Sequence, residues 1–167
     1  NYIQHISPDN VTALTRDKAT KMSLQNTTLS DFQILHFATH GIANSYQPSL
    51  GGLVLSNVST NDNLLLSPEI INLTLNADLV MLSGCETAAG KLINGEGVFS
   101  LSRSFFAAGA KRVVASLWPV KDDATAKLMP AFYRYLLIEK LPIEEALQKA
   151  KLYVKNFKRN NHQKPWK

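Results

Sequence analysis

Ile34-Leu35-His36-Phe37-Ala38-Thr39-His40-Gly41, together with Leu79-Val80-Met81-Leu82-Ser83-Gly84-Cys85-Glu86, is the stretch whose reading decides the fold. Each half opens as a short, largely apolar run and closes on small or polar residues. Short apolar runs bounded by turn signals read as buried strands. In open parallel sheets, chemistry collects beyond the carboxyl ends of the strands. The single cysteine of the chain and one of its four histidines fall just past two such ends. A thiol becomes a nucleophilic thiolate when a base lies nearby, and imidazole is the usual base. The pattern therefore predicts a cysteine nucleophile, Cys85, with His40 as its partner.

The surrounding chain supports a sheet protein. Val11-Thr12-Ala13-Leu14 reads as a short β run. Asp17 is placed to cap a helix over 18–25. Leu53-Val54-Leu55 and Leu64-Leu65-Leu66 flank a turn-rich segment and predict a hairpin; residues 42–52 read as a loop. Ser67-Pro68-Glu69 has the order of an N-cap, an N1 proline and an acidic first turn. A helix over 98–108 is stopped by Gly109 at C′. Val113 to Leu117 is a further buried strand, ending at Trp118-Pro119. Helices over 122–139 and 143–158 complete the chain, with Pro142 at the start of the second. Strands alternating with helices predict an α/β sandwich with a mainly parallel sheet.

The composition sets bounds. A chain of 167 residues, 45% hydrophobic, is expected to form a single domain over 1–167 with a sizeable core. No run approaches the ~18 apolar residues of a membrane span. No signal peptide opens the chain, and a lone cysteine builds no disulfide framework, so a reducing, cytoplasmic setting is expected. The four Asn-x-Ser/Thr triplets, at Asn10, Asn26, Asn57 and Asn72, carry no weight without a secretion signal. The net charge of +5 is uneven: residues 146–167 hold seven lysines and arginines and no acid. Such a tail reads either as a nucleic-acid or partner contact or as a solvated helix face. Without interleaved aromatics to stack on bases, the solvated face is the better reading.

If the two strands are neighbours, they lie roughly 4.8 Å apart and His40 and Cys85 leave the sheet side by side. Gly41 and Gly84 then allow sharp turns and close approach of a substrate carbonyl. The backbone N–H groups of Gly41 and Cys85 are candidates for an oxyanion hole. The competing reading is that the cysteine is a buried core residue and the histidine merely bonds a loop. His36, inside the strand, is expected to pack or bond locally. His36 and His40 make no metal face on a strand, and no HExxH occurs, so neither metal nor zinc is expected. His5 and His162 have no assigned role. Gly84 to Leu92 imitates a phosphate-binding loop but has five residues between its glycines and Leu92 where Ser or Thr is required. No G-x-S-x-G elbow exists.

The ordered segments Ile34 to Gly41, Leu82-Ser83-Gly84-Cys85-Glu86-Thr87-Ala88, Gly95-Glu96-Gly97-Val98 and Val114-Ala115-Ser116-Leu117-Trp118-Pro119-Val120 resemble the CHAT domain (caspase HetF associated with TPRs). That family is similar to caspases and separases. The resemblance covers about residues 9 to 155. It implies a caspase-like three-layer α/β sandwich, a mainly parallel central sheet with helices on both faces. It also implies a cysteine endopeptidase with His40 as general base and Cys85 as nucleophile, working on protein or peptide substrates without a cofactor. Glu96 matches a recurrent family position, with a helix-capping role. Leu117 to Asp122 is similar to a separase stretch whose last aspartate pairs with the arginine before the scissile bond. Asp122 is thus a candidate P1-pocket residue for Arg or Lys, or simply a helix cap along with Asp123. Relatives often carry Ala before the cysteine; Gly84 is read as a small change. They also run on past a Pro-aromatic-Trp stretch into a final strand, so the chain is expected to be a fragment whose neighbours include tetratricopeptide repeats. No membrane partner is expected. The alternative is a catalytically silent interaction module of the same fold.

Overall fold

The structure, a computed structural model, describes residues 8–42, 47–56, 62–84, 96–116 and 122–160. The chain divides into two compact units, Leu14–Val120 and the pair of segments Asn1–Ala13 and Lys121–Lys167.

The larger unit is built on two small sheets. In the first, β1 (Ile34–Phe37), β5 (Leu79–Leu82) and β6 (Val113–Ala115) run parallel in the order β1-β5-β6. In the second, β2 (Gly41–Ile42), β3 (Gly52–Val54) and β4 (Leu64–Leu66) are antiparallel in the order β2-β3-β4. Central strand β5 is buried at all four positions. Its alternation puts Val80 and Leu82 on one face and Leu79 and Met81 on the other. Both faces are therefore covered, as a sandwich requires. Val80 and Leu82 join Leu35, Leu101 and Phe105 in one core, and the Phe37 ring lies 5.3 Å from that of Phe105.

Helices α1 (Lys21–Gln25), α2 (Ser67–Ile71) and α3 (Glu96–Ala107) belong to this unit. The cap of α1 is Thr20, whose Oγ1 accepts from Ser23 N–H, and not Asp17. Residues 16–18 form a separate 3₁₀ turn in which Arg16 has φ 54°, and this turn keeps Asp17 out of the capping position. Leu66 is the N-cap residue of α2, and the Glu69 carboxylate accepts from its N–H at 2.8 Å, so Ser67 is already inside the helix. The C-terminus of α3 is as expected. Gly109 (φ 112°) donates to Phe106 O and Ala110 to Phe105 O, which together make a Schellman motif. The hairpin is β3–β4. The expected loop at 42–52 is corrected at its ends, where β2 and the start of β3 add a third strand. The expected β run Val11 to Leu14 is corrected: it is coil.

Lys21 ties α1 to the second sheet and to α2. Its ammonium lies 2.8 Å from Asp62 and 2.7 Å from Glu69, and donates to Leu64 O at 3.2 Å. Burial pulls its pKa down, but the two carboxylates more than offset this and hold it above its ordinary value.

In the smaller unit, α4 (Asp122–Tyr133) continues as a π-helical segment, Arg134–Ile138, and packs on α5 (Ile143–Asn160). Ala131, Phe132, Ala146, Ala150 and Val154 are buried. Lys127 lies over the Phe157 ring at 4.2 Å.

Candidate active site

His40 stands where the chain leaves one sheet for the other. Three residues beyond β1, its carbonyl accepts from Val54 N–H at 2.8 Å, and the Thr39 hydroxyl donates to Val54 O. Strand β3 thus holds the backbone on either side of His40, whose residue is exposed.

Strand β5 runs beside β1 in a constant register: Ile34 faces Leu79 and Phe37 faces Leu82, an offset of 45 residues. The ladder continues one step further, because Ser83 N–H donates to Phe37 O at 3.1 Å. The strands still touch one residue later. A Cβ on Gly84 would lie 2.7 Å from both Thr39 N and Thr39 O and 3.0 Å from Ala38 C. Only glycine permits this approach. The expectation that Gly for Ala is a small change here is therefore corrected: alanine does not fit against the Ala38–Thr39 backbone. The same offset of 45 relates Thr39 to Gly84 and His40 to Cys85 in the sequence. Cys85 itself, both as thiol and as N–H donor, lies outside the described residues, as does Trp118-Pro119.

Gly41 is buried in β2. Because Val54 N–H bonds His40 O, His40 and Val54 form a hydrogen-bonded pair. The next pair, Gly41 with Leu53, is then of the other kind. The Gly41 N–H therefore points away from β3, off the edge of the antiparallel sheet.

His36 makes a bond across the sheet that the expectation of local packing or bonding did not include. Its Nε2 lies 2.6 Å from Ser83 Oγ, 47 residues away in sequence. Its register partner is Met81, and Ser83 is the next residue on the same face of β5. Burial pushes the pKa of His36 down to about 4, so the ring is neutral at physiological pH. Reading by sequence missed Ser83 and Thr39. The only signal was positional: Ser83 is two places past Met81, and this carries meaning once the register is known.

Asp122 is the first residue of α4, and Glu96 the first of α3. Among the described residues, no group of three or more His, Cys, Asp or Glu converges as a metal site. Among them, too, no helix is long and apolar enough to cross a membrane.

A mixed α/β protein with a parallel sheet and a histidine beyond one strand end is compatible with a caspase-like sandwich. The CHAT domain family model matches residues 1–166, and the chain belongs to that family, which is related to the caspase-like peptidases. It is also similar to tetratricopeptide repeat protein 28 of Mus musculus, at 35% identity over 103 residues, and to that of Homo sapiens, at 36%. The matched stretch is 62% of this chain and 4% of either relative.

Proposed function

We propose that this chain is a caspase-like cysteine endopeptidase in which His40 and Cys85 form the catalytic dyad. The observation that carries the reading is the close approach of Gly84 to Thr39, in a register whose offset also separates His40 from Cys85. The residues immediately before the two candidates are in contact across the strands.

In the proposed reaction, the His40 ring takes the thiol proton and the Cys85 sulfur attacks the peptide carbonyl. The oxyanion is met by the N–H groups of Gly41 and Cys85. The imidazolium returns its proton to the departing amine, leaving a thioester on Cys85. His40 then takes a proton from water, the hydroxide displaces the sulfur, and the carboxylic acid product and the thiol are restored. A single oxyanion donor is worth about 10²–10³ in rate. These steps use no metal or organic cofactor.

A peptidyl electrophile tests the dyad. Cys85 is modified in the wild type, and His40→Ala suppresses the modification. Equal, slow reaction of both, at the rate of an unactivated thiol, refutes an enzyme and leaves the silent interaction module.

We further propose that Asp122 selects Arg or Lys at P1, on the likeness of Leu117 to Asp122 to the separase stretch. A fluorogenic peptide panel checks this: cleavage after Asp or Leu, with Arg and Lys ignored, rejects it. The remaining parts of the reading are that 1–167 acts as one peptidase domain, that tetratricopeptide repeats elsewhere in the full protein regulate it, and that it works in the cytoplasm. The names of the relatives support the second and the lone cysteine supports the third.

A further inference from the structure

We infer that His36 and Ser83 are a positioning pair that holds the ends of β1 and β5 at one fixed spacing, just before the residues that lead into His40 and Cys85 in the sequence. The inference rests on the dyad reading above.

Four observations carry it. His36 is the one polar residue in the eight positions where β1 and β5 are paired. A half-buried imidazole at this position needs polar partners, and an aliphatic residue would fill the position without that need. Second, the bond from His36 Nε2 to Ser83 Oγ, 2.6 Å long, runs diagonally, from one residue to the position beyond its register partner. A diagonal tie resists both sliding and parting of the strands. Third, Ser83 is held twice, since its N–H also donates to Phe37 O. Fourth, Gly84 has no side chain with which to anchor itself. Ser83 is thus the last side-chain anchor before Cys85, with one residue between them. On the other strand, Thr39 lies against Gly84 and leads directly into His40. Neither His36 nor Ser83 acts on substrate. Their effect passes through the backbone to the residues that do.

The test measures the labelling rate of Cys85 by a peptidyl electrophile in the full chain, with the melting temperature recorded beside it. The variants are His36→Leu, Ser83→Ala, their double, His36→Gln and Ser83→Thr, with His40→Ala as the reference. Misplacement of a reacting group by about 1 Å costs on the order of 10² in rate. His36→Leu and Ser83→Ala are therefore expected to label tenfold to a hundredfold more slowly. The double variant loses less than the sum of the two singles, because the shared bond is removed in all three. His36→Gln, which keeps a polar group near Nε2, and Ser83→Thr recover most of the rate. If His36→Leu does not fold, Ser83→Ala with Ser83→Thr decides the matter alone. Wild-type labelling in the single variants, or losses that add in the double, overturns the inference. So does a lowered melting temperature with undiminished labelling. If these variants label normally while His40→Ala does not, this inference alone has failed. If His40→Ala labels like wild type, the dyad reading fails and takes this one with it.

Discussion

Replacing Gly84 by alanine is the most direct perturbation of the strand ends. Its φ lies outside the left-handed region, so an added methyl brings no backbone penalty and the whole effect is steric. The new Cβ would sit 2.7 Å from Thr39 N and O. Carbon contacts are comfortable at about 3.5–4.0 Å, so β1 and β5 must separate locally by roughly 0.8 Å. The obstacle is backbone, already bonded to β3 through Thr39 Oγ1 and His40 O, and cannot swing aside as a side chain would. Overpacking of this kind typically costs about 1–3 kcal/mol, at about 2–4 °C of melting temperature per kcal/mol for a domain of this length. The same displacement, applied one residue from Cys85, is expected to slow peptidyl-electrophile labelling by tenfold or more. Thermal unfolding followed by circular dichroism gives the first number, and mass-spectrometric labelling rates the second. A Gly84→Ala protein that melts and labels like wild type would show that the Gly84–Thr39 approach does not set the geometry, and would remove the support on which the dyad reading stands.

Other perturbations have equally definite outcomes. The folded pKa of His36 is about 4 against 6.5 unfolded, so the unfolded chain binds its proton first as pH falls. The stability that the neutral ring confers is complete above pH 6.5 and is lost toward pH 4, on the order of 3 kcal/mol in all. Urea unfolding at pH 7, 5.5 and 4.5 should show a steeper decline in the wild type than in His36→Gln; parallel declines refute it. Gly109→Ala places a side chain at φ 112° and against Leu75 O. A loss of about 1–3 kcal/mol, read as a lower urea midpoint at constant slope, is expected. Lys21 and Glu69 should show a coupling energy of about 0.5–1 kcal/mol in a double-mutant cycle, falling with salt. Asp62, 71% exposed, should couple less.

The elements legible in the sequence are those whose cause is local. Leu79 to Leu82 is apolar throughout because β5 is buried on both faces, and a continuous run is what such a strand requires. Gly109 ends α3 for a reason contained in one residue. What escaped depends on partners distant in sequence. The two residues of β2 are a strand only because Leu53 and Gly52 lie opposite. Val11 to Leu14 has the composition of a strand but is coil, because β-branched composition alone makes no strand. Asp17 and Thr20 are equally plausible caps by residue type, and the 3₁₀ turn at 16–18 decides between them. In the site, His40 and Gly41 were visible from their place after an apolar run. The meaning of Gly84 was not, because its constraint is a clash with Thr39 rather than a turn. The bond of His36 to Ser83 is not legible, because nothing in the order of residues shows that Ser83 will stand beside it.

The pairing of His36 with Ser83 makes the length of this part of the chain a quantised variable. Both side chains must lie on the same side of the pleat, and successive residues alternate sides. Insertion or deletion of one residue between Leu79 and Ser83 would turn the hydroxyl toward the Phe105 core and strand the imidazole. A change of two residues would restore the side but displace the hydroxyl by about 6.6 Å along the strand. Gly84, against Thr39, would be displaced with it. Between Leu79 and Ser83, therefore, even a single-codon indel is disallowed.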